Sequence, residues 1–318
     1  MVGRGAPELR RELAAAGLPV VAIFGPTAGG KTAVAEALAD RIPSDIVSAD
    51  SMQVYRGLPI LTSQPERPTR LVAIWPLSHE ASVGEYQKLA HAATDEILAA
   101  GRTPIVAGGT GLYLRAALAD LGLPPPPPRG ARERWERLYD RLGPERAHAA
   151  LAERDSGAAA AVHPNDRRRV VRALELHEAG SSLRPPRDRL WSQETRRPTL
   201  AFVLDVPREI LAARIERRAQ EMFERGVEEE VRQALSGRVS PTARQVIGLA
   251  EIAELPREEA LAAVVRRTRA YAAYQRKWLR RIPGAMPVEA SRPPGDVAAD
   301  LLEAILAWRG TSASEAER

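Results

Sequence analysis

The stretch Gly25-Pro26-Thr27-Ala28-Gly29-Gly30-Lys31-Thr32 lies between an apolar run, Val20-Val21-Ala22-Ile23-Phe24, and an Ala/Leu-periodic segment from Lys31 to about Arg41. Strand, glycine turn and helix in that order are the setting a phosphate-binding loop requires, because the glycines let backbone N–H groups turn inward onto phosphate oxygens. Lys31 adds a point charge, the Thr32 hydroxyl can ligate Mg2+, and the helix N-terminus contributes partial positive charge. A diphosphate is served as well as a triphosphate, so the motif fixes a phosphate ligand without fixing which one. A lysine at this position is not a compositional accident: the chain has three lysines beside 43 arginines.

Further short apolar runs at Ile46–Val47, Leu71–Ile74, Ile105–Ala107 and Leu200–Leu204 read as strands, and helical patterns intervene, notably Gly84 to Ala100 ended by Gly101. Alternating strands and helices predict an α/β core with a parallel sheet. The alternation stops at the five prolines Pro124 to Pro128, which cannot sit inside a helix or donate to a ladder and are expected to form a stiff linker. From Arg129 to about Arg197 the pattern is helical, and Leu200 to Asp205 then resumes a strand. The expected organisation is therefore a core of residues 1–123 and 198–318 interrupted by an all-helical insertion of residues 124–197. After Pro207 the chain reads as helical to about Arg281, and residues from Thr311 onward, small and polar, are expected to be disordered.

The absence of cysteine excludes disulfides, thiolate zinc sites and cysteine nucleophiles, and the five histidines show no metal-ligand spacing. No apolar run approaches the roughly 20 residues of a membrane span, and residues 1–19 lack the apolar stretch of a secretory signal, so a cytoplasmic location away from membranes is expected. Charge is concentrated: residues 129–197 contain 16 arginines against 11 acidic residues, an excess equal to the whole chain's +5. A second run, Arg266, Arg267, Arg269, Arg276, Lys277, Arg280 and Arg281, has no acid within it. Such clusters attract polyphosphate or nucleic acid, although a solvated helix face has the same composition.

Two further segments carry chemistry. Ser48-Ala49-Asp50-Ser51-Met52-Gln53 begins where the Ile46 strand ends, and ligands of open α/β sheets bind outside the carboxyl ends of strands. A carboxylate there can serve as general base, bind Mg2+ or cap a helix, and the sequence does not separate these roles. Ile105-Val106-Ala107-Gly108-Gly109-Thr110-Gly111 is another strand running into glycines, with Thr110 able to donate to a phosphate or simply to open a helix. Tyr271, Tyr274 and Trp278 share a helical face, for which core packing is a better reading than base stacking. The loop alone is also compatible with a small-molecule kinase, for which Asp205 would be the metal carboxylate.

In order and spacing these three elements resemble the tRNA dimethylallyltransferase, or tRNA isopentenyltransferase, family of bacterial type over roughly residues 19–282. Further matches lie at His163-Pro164-Asn165-Asp166 with Arg169 and Arg172, at Arg214-Ile215 with Arg218, at Gln245 to Gly248, and at Thr268-Arg269 with Gln275, Trp278 and Arg280. The resemblance implies a P-loop NTPase-like sheet flanked by helices, transfer of a dimethylallyl group from dimethylallyl diphosphate to N6 of the adenosine just 3′ of the anticodon, and a monomer using Mg2+ on Thr32. The phosphate loop, residues 25 to 32, would hold the diphosphate without splitting a nucleotide. Asp50 would take the N6 proton, and Lys31, Thr110 and Arg218 would stabilise the departing diphosphate. Contacts to the tRNA anticodon stem-loop would come from Asp50, Ser51, Met52, Gln53, Thr110, Arg132, Arg168, Arg169, Val170, Val171, Arg172, Gln245, Val246, Ile247 and Gly248. A related group prenylates free adenine nucleotides; the basic insertion and C-terminal helices favour tRNA. The chain departs from the family at Leu61-Thr62-Ser63-Gln64-Pro65, where Gly-Thr-Ala-Lys-Pro is usual, at Thr69 to Ala73, and at Leu249-Ala250.

Overall fold

The computed structural model describes residues 19–124, 128, 130–183, 189–190 and 192–316. Part of the proline linker and residues 1–18 lie outside this range. Contacts divide the chain into two units, one made of the residues up to Asp120 together with those from Gln193, the other of Leu121–Ser192.

The first unit is built on five parallel strands: β1 (Val20–Phe24), β2 (Ser44–Ser48), β3 (Thr103–Gly108), β4 (Thr199–Asp205) and β5 (Met286–Glu289), in the order β2-β3-β1-β4-β5. All five residues of central β1 are buried, as expected where helices cover both faces of a parallel sheet. Its register sets Phe24 beside Gly108 of β3 and Val203 of β4, so the turns after β1 and β3 leave the sheet at the same level. Ser48 of β2 aligns with Ala107, which brings the third turn to that edge.

Helix α1 (Lys31–Ala39) follows the phosphate loop and buries Val34, Ala35 and Leu38 against the sheet. Helix α2 (Val83–Ala99) begins in a capping box: Ser82 Oγ accepts from Glu85 N, while the Glu85 carboxylate accepts from Ser82 N. That start places Tyr86 so that its hydroxyl donates to Ser48 O at 2.9 Å, tying the helix to the functional end of β2. Helix α3 (Gly111–Leu118) leaves β3 directly.

The second unit contains α4 (Ala131–Leu142), α5 (Pro144–Arg154), α6 (Ser156–Ala160) and α7 (Arg167–Glu178). Tyr139, Leu151, Val162, Val170 and Leu174 form its core, and Asp155 and Asp166 cap α6 and α7 through their carboxylates. Helix ends at Glu178, so the helical reading that extended to Arg197 is too long. In the first unit β4 is followed by α8 (Arg208–Glu224), α9 (Val227–Leu235), α10 (Leu249–Glu254), α11 (Arg257–Leu279) and, after β5, α12 (Pro294–Ala316).

Three expectations are corrected. Leu71–Ile74 forms no strand: Leu71 and Ala73 are left-handed, at φ 65 and 53, and the segment is flanked by two isolated bridges, Val47 to Arg70 and Tyr55 to Trp75. Strand β5 was not anticipated, because its four residues alternate half-buried with exposed and include a proline. The segment from Thr311, expected to be disordered, continues α12 to Ala316; residues 317–318 lie outside the described range.

Gly108 shows how tightly the strand ends are joined. A Cβ there would lie 2.1 Å from Ala49 O, which is backbone and cannot step aside. Gly108→Ala is expected to destabilise the protein by about 3 kcal/mol or more through forced separation of β2 and β3; a urea midpoint unchanged from the parent would disprove this.

Candidate active site

The phosphate loop closes on itself through Gly29 N donating to Pro26 O at 3.0 Å, with Ala28 and Gly30 in the left-handed region at φ 63 and 87. Gly30 begins α1 without a side-chain cap, so the first N–H groups of the helix stay available to an anion. Lys31 points back across the loop, its Nζ donating to Pro26 O at 2.8 Å. Although it opens to a cavity, the ammonium is surrounded by protein, and this burial, opposed by Asp50 and reinforced by Arg218, lowers its pKa to about 8.

Arg218 comes from α8. Burial depresses its pKa also, and its Nε is shut from solvent without a hydrogen-bond partner. A buried donor of this kind costs free energy until something accepts from it. Two enclosed cations share one carboxylate, Asp50, which is held in an Asx turn by accepting from Met52 N at 2.9 Å.

Thr110 joins the other segments. Its Oγ accepts from Ser51 N at 3.2 Å and lies 3.3 Å from Tyr271 Oη of α11. Burial pushes the Tyr271 hydroxyl up to about 12, so it stays protonated and can donate to Thr110. Gln53 is likewise fixed: its Oε1 accepts from Ser48 Oγ at 2.9 Å, and its Nε2 donates to Ser63 O at 2.9 Å. Residues 61–63, where the chain departs from the family pattern, therefore help to wall the site. The Glu230 carboxylate holds that wall by accepting from Ile60 N and Leu61 N at 2.7 and 2.8 Å.

Lys31, Asp50, Gln53, Arg218 and Tyr271 line one cavity of ≈ 130 Å³. Its lining includes the polar Thr27, Lys31, Thr32, Asp50 and Arg218 and the apolar Leu61, Ile215, Met222, Ile247 and Val264. Of the residues expected at the site, Asp50, Met52, Gln53 and Ile247 line it, while Thr110 and Ser51 stand one bond behind. Sequence reading missed Met222 and Val264 as lining residues. Met222 lies one helical turn after Arg218, and Val264 one turn before Thr268, so i, i+4 spacing on α8 and α11 was the available signal.

Several expected contacts are corrected. Val170 and Val171, at 0% and 3% exposure, are core residues of the helical unit and Val246, at 2%, is buried; none offers a side chain to a ligand. Arg132 and Arg172 both reach the buried Glu175, at 2.9 Å each, and so neutralise an internal carboxylate. Arg168 and Arg169 are exposed, form no ion pair among the described residues, and remain open to phosphate. Gly248 is left-handed at φ 96, and a Cβ there would meet Leu61 Cδ1 at 2.7 Å, which explains the glycine structurally. The aromatic trio divides: Tyr271 faces the cavity, Trp278 packs on Gly111, and Tyr274 is 53% exposed. Asp205, the carboxylate a kinase would need, is 62% exposed, pairs with Arg276 at 3.4 Å and does not line the cavity.

Comparison with known proteins identifies the family. The IPP transferase family model matches residues 53–282, and the isopentenyl transferase model matches residues 18–70. A tRNA dimethylallyltransferase of Kineococcus radiotolerans is 39% identical over 307 residues, covering 90% of this chain and 96% of its own. One from Anaeromyxobacter sp. (strain Fw109-5) is 43% identical over 290 residues, covering 87% and 95%. The crystal structure of the full-length tRNA isopentenylpyrophosphate transferase from Bacillus halodurans superposes with a TM-score of 0.67 at 30% identity, covering 94% of this chain and 99% of that one. A eukaryotic dimethylallyltransferase acting on tRNA gives 0.69 at 25% identity, covering 86% and 74%. With the phosphate loop, Asp50 and Arg218 gathered on one cavity and similarity running through nearly the whole chain, this protein belongs to the tRNA dimethylallyltransferase family.

Proposed function

We propose that this protein transfers the dimethylallyl group of dimethylallyl diphosphate to N6 of the adenosine immediately 3′ of the anticodon in tRNA. The observation that carries this reading is a single cavity lined both by the enclosed Lys31 and Arg218 cations and by the apolar side chains of Leu61, Ile215, Met222, Ile247 and Val264. An allylic diphosphate has the matching polarity. The cavity, at ≈ 130 Å³, is near the ~150 Å³ of an engineered apolar cavity that takes up benzene, so a five-carbon group fits by volume.

The diphosphate would lie on the phosphate loop and the N-terminus of α1, with Lys31 and the unpartnered Arg218 Nε supplying charge-assisted donors. The N6 lone pair forms a bond to the terminal allylic carbon as the bond from that carbon to the diphosphate oxygen breaks, the electron pair leaving on the diphosphate. The N6 proton passes to the Asp50 carboxylate. Thr110, held by Ser51 and Tyr271, fixes the acceptor side of the site. Alignment and stabilisation of the leaving group supply most of the rate, since an exocyclic amine is a poor nucleophile. A loop adenosine reaches such a cavity at less cost than a paired base.

Mg2+ fits the oxygen donors present. Thr32 would hold it jointly with diphosphate oxygens, where it would neutralise charge on the leaving group. Among the described residues no group of three or more His, Cys, Asp or Glu could hold a metal, so the substrate's oxygens would have to complete the coordination. Exposed Arg168 and Arg169 on α7 would bind tRNA phosphates, making binding salt-sensitive. No helix among the described residues is long and apolar enough to cross a membrane. We place the protein in the cytoplasm as a monomer.

The reading is tested by incubating protein, labelled dimethylallyl diphosphate and Mg2+ with an anticodon stem-loop, with AMP or ATP in parallel, and digesting the products. Label is expected in the stem-loop adenosine, with Asp50→Ala lowering kcat by about 10²- to 10⁴-fold. Label only in the mononucleotide would assign a free-nucleotide acceptor, and ATP turnover without transfer a kinase.

Burial lowers the folded-state pKa of Lys31, so its charge is lost as pH rises through about 8. Pyrophosphate affinity should therefore fall above that pH in the parent and stay level in Lys31→Arg, whose guanidinium remains charged. Calorimetric titrations between pH 7 and 9 giving parallel profiles for the two proteins would refute it.

A further inference from the structure

Gln275 stands on α11 with 1% of its surface exposed, well away in sequence from every loop of the site. Its Oε1 accepts from Thr27 N at 2.8 Å, and its Nε2 donates to Gly109 O at 2.8 Å. One amide therefore joins the phosphate loop after β1 to the turn after β3 that carries Thr110.

The chemistry of the two backbone groups dictates the residue. Thr27 N needs an acceptor and Gly109 O needs a donor, and a glutamine amide presents both in one plane without charge. A carboxylate would set lone pairs against Gly109 O; an aliphatic chain would leave both backbone groups without these bonds in the interior. The space is also reserved: a Cβ on Gly109 would lie 2.3 Å from Gln275 Nε2 and 3.3 Å from Lys31 Nζ. Immediately after the tethered peptide the loop turns through left-handed Ala28. A non-glycine residue in that region persists only where its surroundings impose it.

We propose that Gln275 is a positioning residue for prenyl transfer: it locks the Thr27–Ala28 turn in its anion-binding shape and sets its distance from Thr110. It touches neither substrate. The proposal rests on the reading that the loop holds a diphosphate.

The test uses the full-length protein and its variants Gln275→Met and Gln275→Glu. Measured are inorganic pyrophosphate binding with Mg2+, the KM values for dimethylallyl diphosphate and the anticodon stem-loop, and the melting temperature. Replacement by Met removes both bonds at similar length and is expected to weaken pyrophosphate binding about tenfold and raise the KM for the diphosphate correspondingly, leaving the KM for the stem-loop unchanged. Glu keeps the acceptor for Thr27 N but puts negative charge beside the anion site, so binding should weaken further than with Met. Variants that melt earlier yet bind pyrophosphate as the parent does would reduce Gln275 to a structural residue and overturn the proposal. So would an equal rise in both KM values. A parent protein that does not bind pyrophosphate overturns the diphosphate reading, and the role of Gln275 with it; that failure is distinguished by appearing before any substitution is made.

Discussion

The enclosure of Lys31 and Arg218 around a single carboxylate governs the rest of the site. Each cation has its pKa lowered by burial, and each is helped by Asp50, which cannot neutralise both. The charge left over gives the cavity an unbalanced positive charge before any ligand arrives, and such charge acts more strongly where water is excluded. The surrounding architecture serves this arrangement. Parallel pairing puts three strand ends at one level, Gly108 permits β2 and β3 to approach to backbone contact, and α8 delivers Arg218 from the far side of the chain.

Much of this was legible in the sequence because the phosphate loop is a local device. Its strand, turn and helix are consecutive, and the expected α1 and α2 agree with the structure to within about two residues. Asp50 and Thr110 were legible for the same reason, each following an apolar strand directly. What escaped depends on residues distant in sequence. Met222 and Val264 become lining residues only when α8 and α11 fold over the sheet, and β5 is too short and too mixed in burial to announce itself. Leu71–Ile74 was apolar enough for a strand, but the preferred backbone there is left-handed at two residues, a property that hydropathy does not encode.

The arginines of the helical unit show a different limit. Their excess over acidic residues was visible as a number, and a number cannot say which charges are spent internally. Glu175, fully buried, binds Arg132 and Arg172, while Arg167 forms a fork with Asp140 at 2.8 Å for each nitrogen. Removing Glu175's partners would leave a buried charge, so these arginines are required by the unit's own stability. The affinity for polyanions then falls to residues such as Arg168 and Arg169, which are spent on nothing internal among the described residues. Position along α7 produces this division: Val170, Val171 and Leu174 face the core, and Arg168 and Arg169 face out.

The apolar wall has a chemical role that the polar residues cannot fill. As its bond to the diphosphate oxygen breaks, the allylic carbon becomes an electrophile that water would attack as readily as an amine, so water must be kept from the volume beside the transferring group. Leu61, Ile247 and Val264 meet at that wall, and left-handed Gly248 lets the leucine pack where a side chain would otherwise stand. Glu230 fixes the segment bearing Leu61 by accepting from two successive backbone amides, although burial raises its pKa and so opposes its charge. A leucine placed at some electrostatic cost, against a glycine that makes room for it, is better explained by exclusion of water than by contact with a polyanion. The departures from the family pattern at residues 61–65 thus bring Leu61 to the apolar part of the lining and Thr62 and Ser63 to its polar part, on the cavity that Lys31, Asp50 and Arg218 also line.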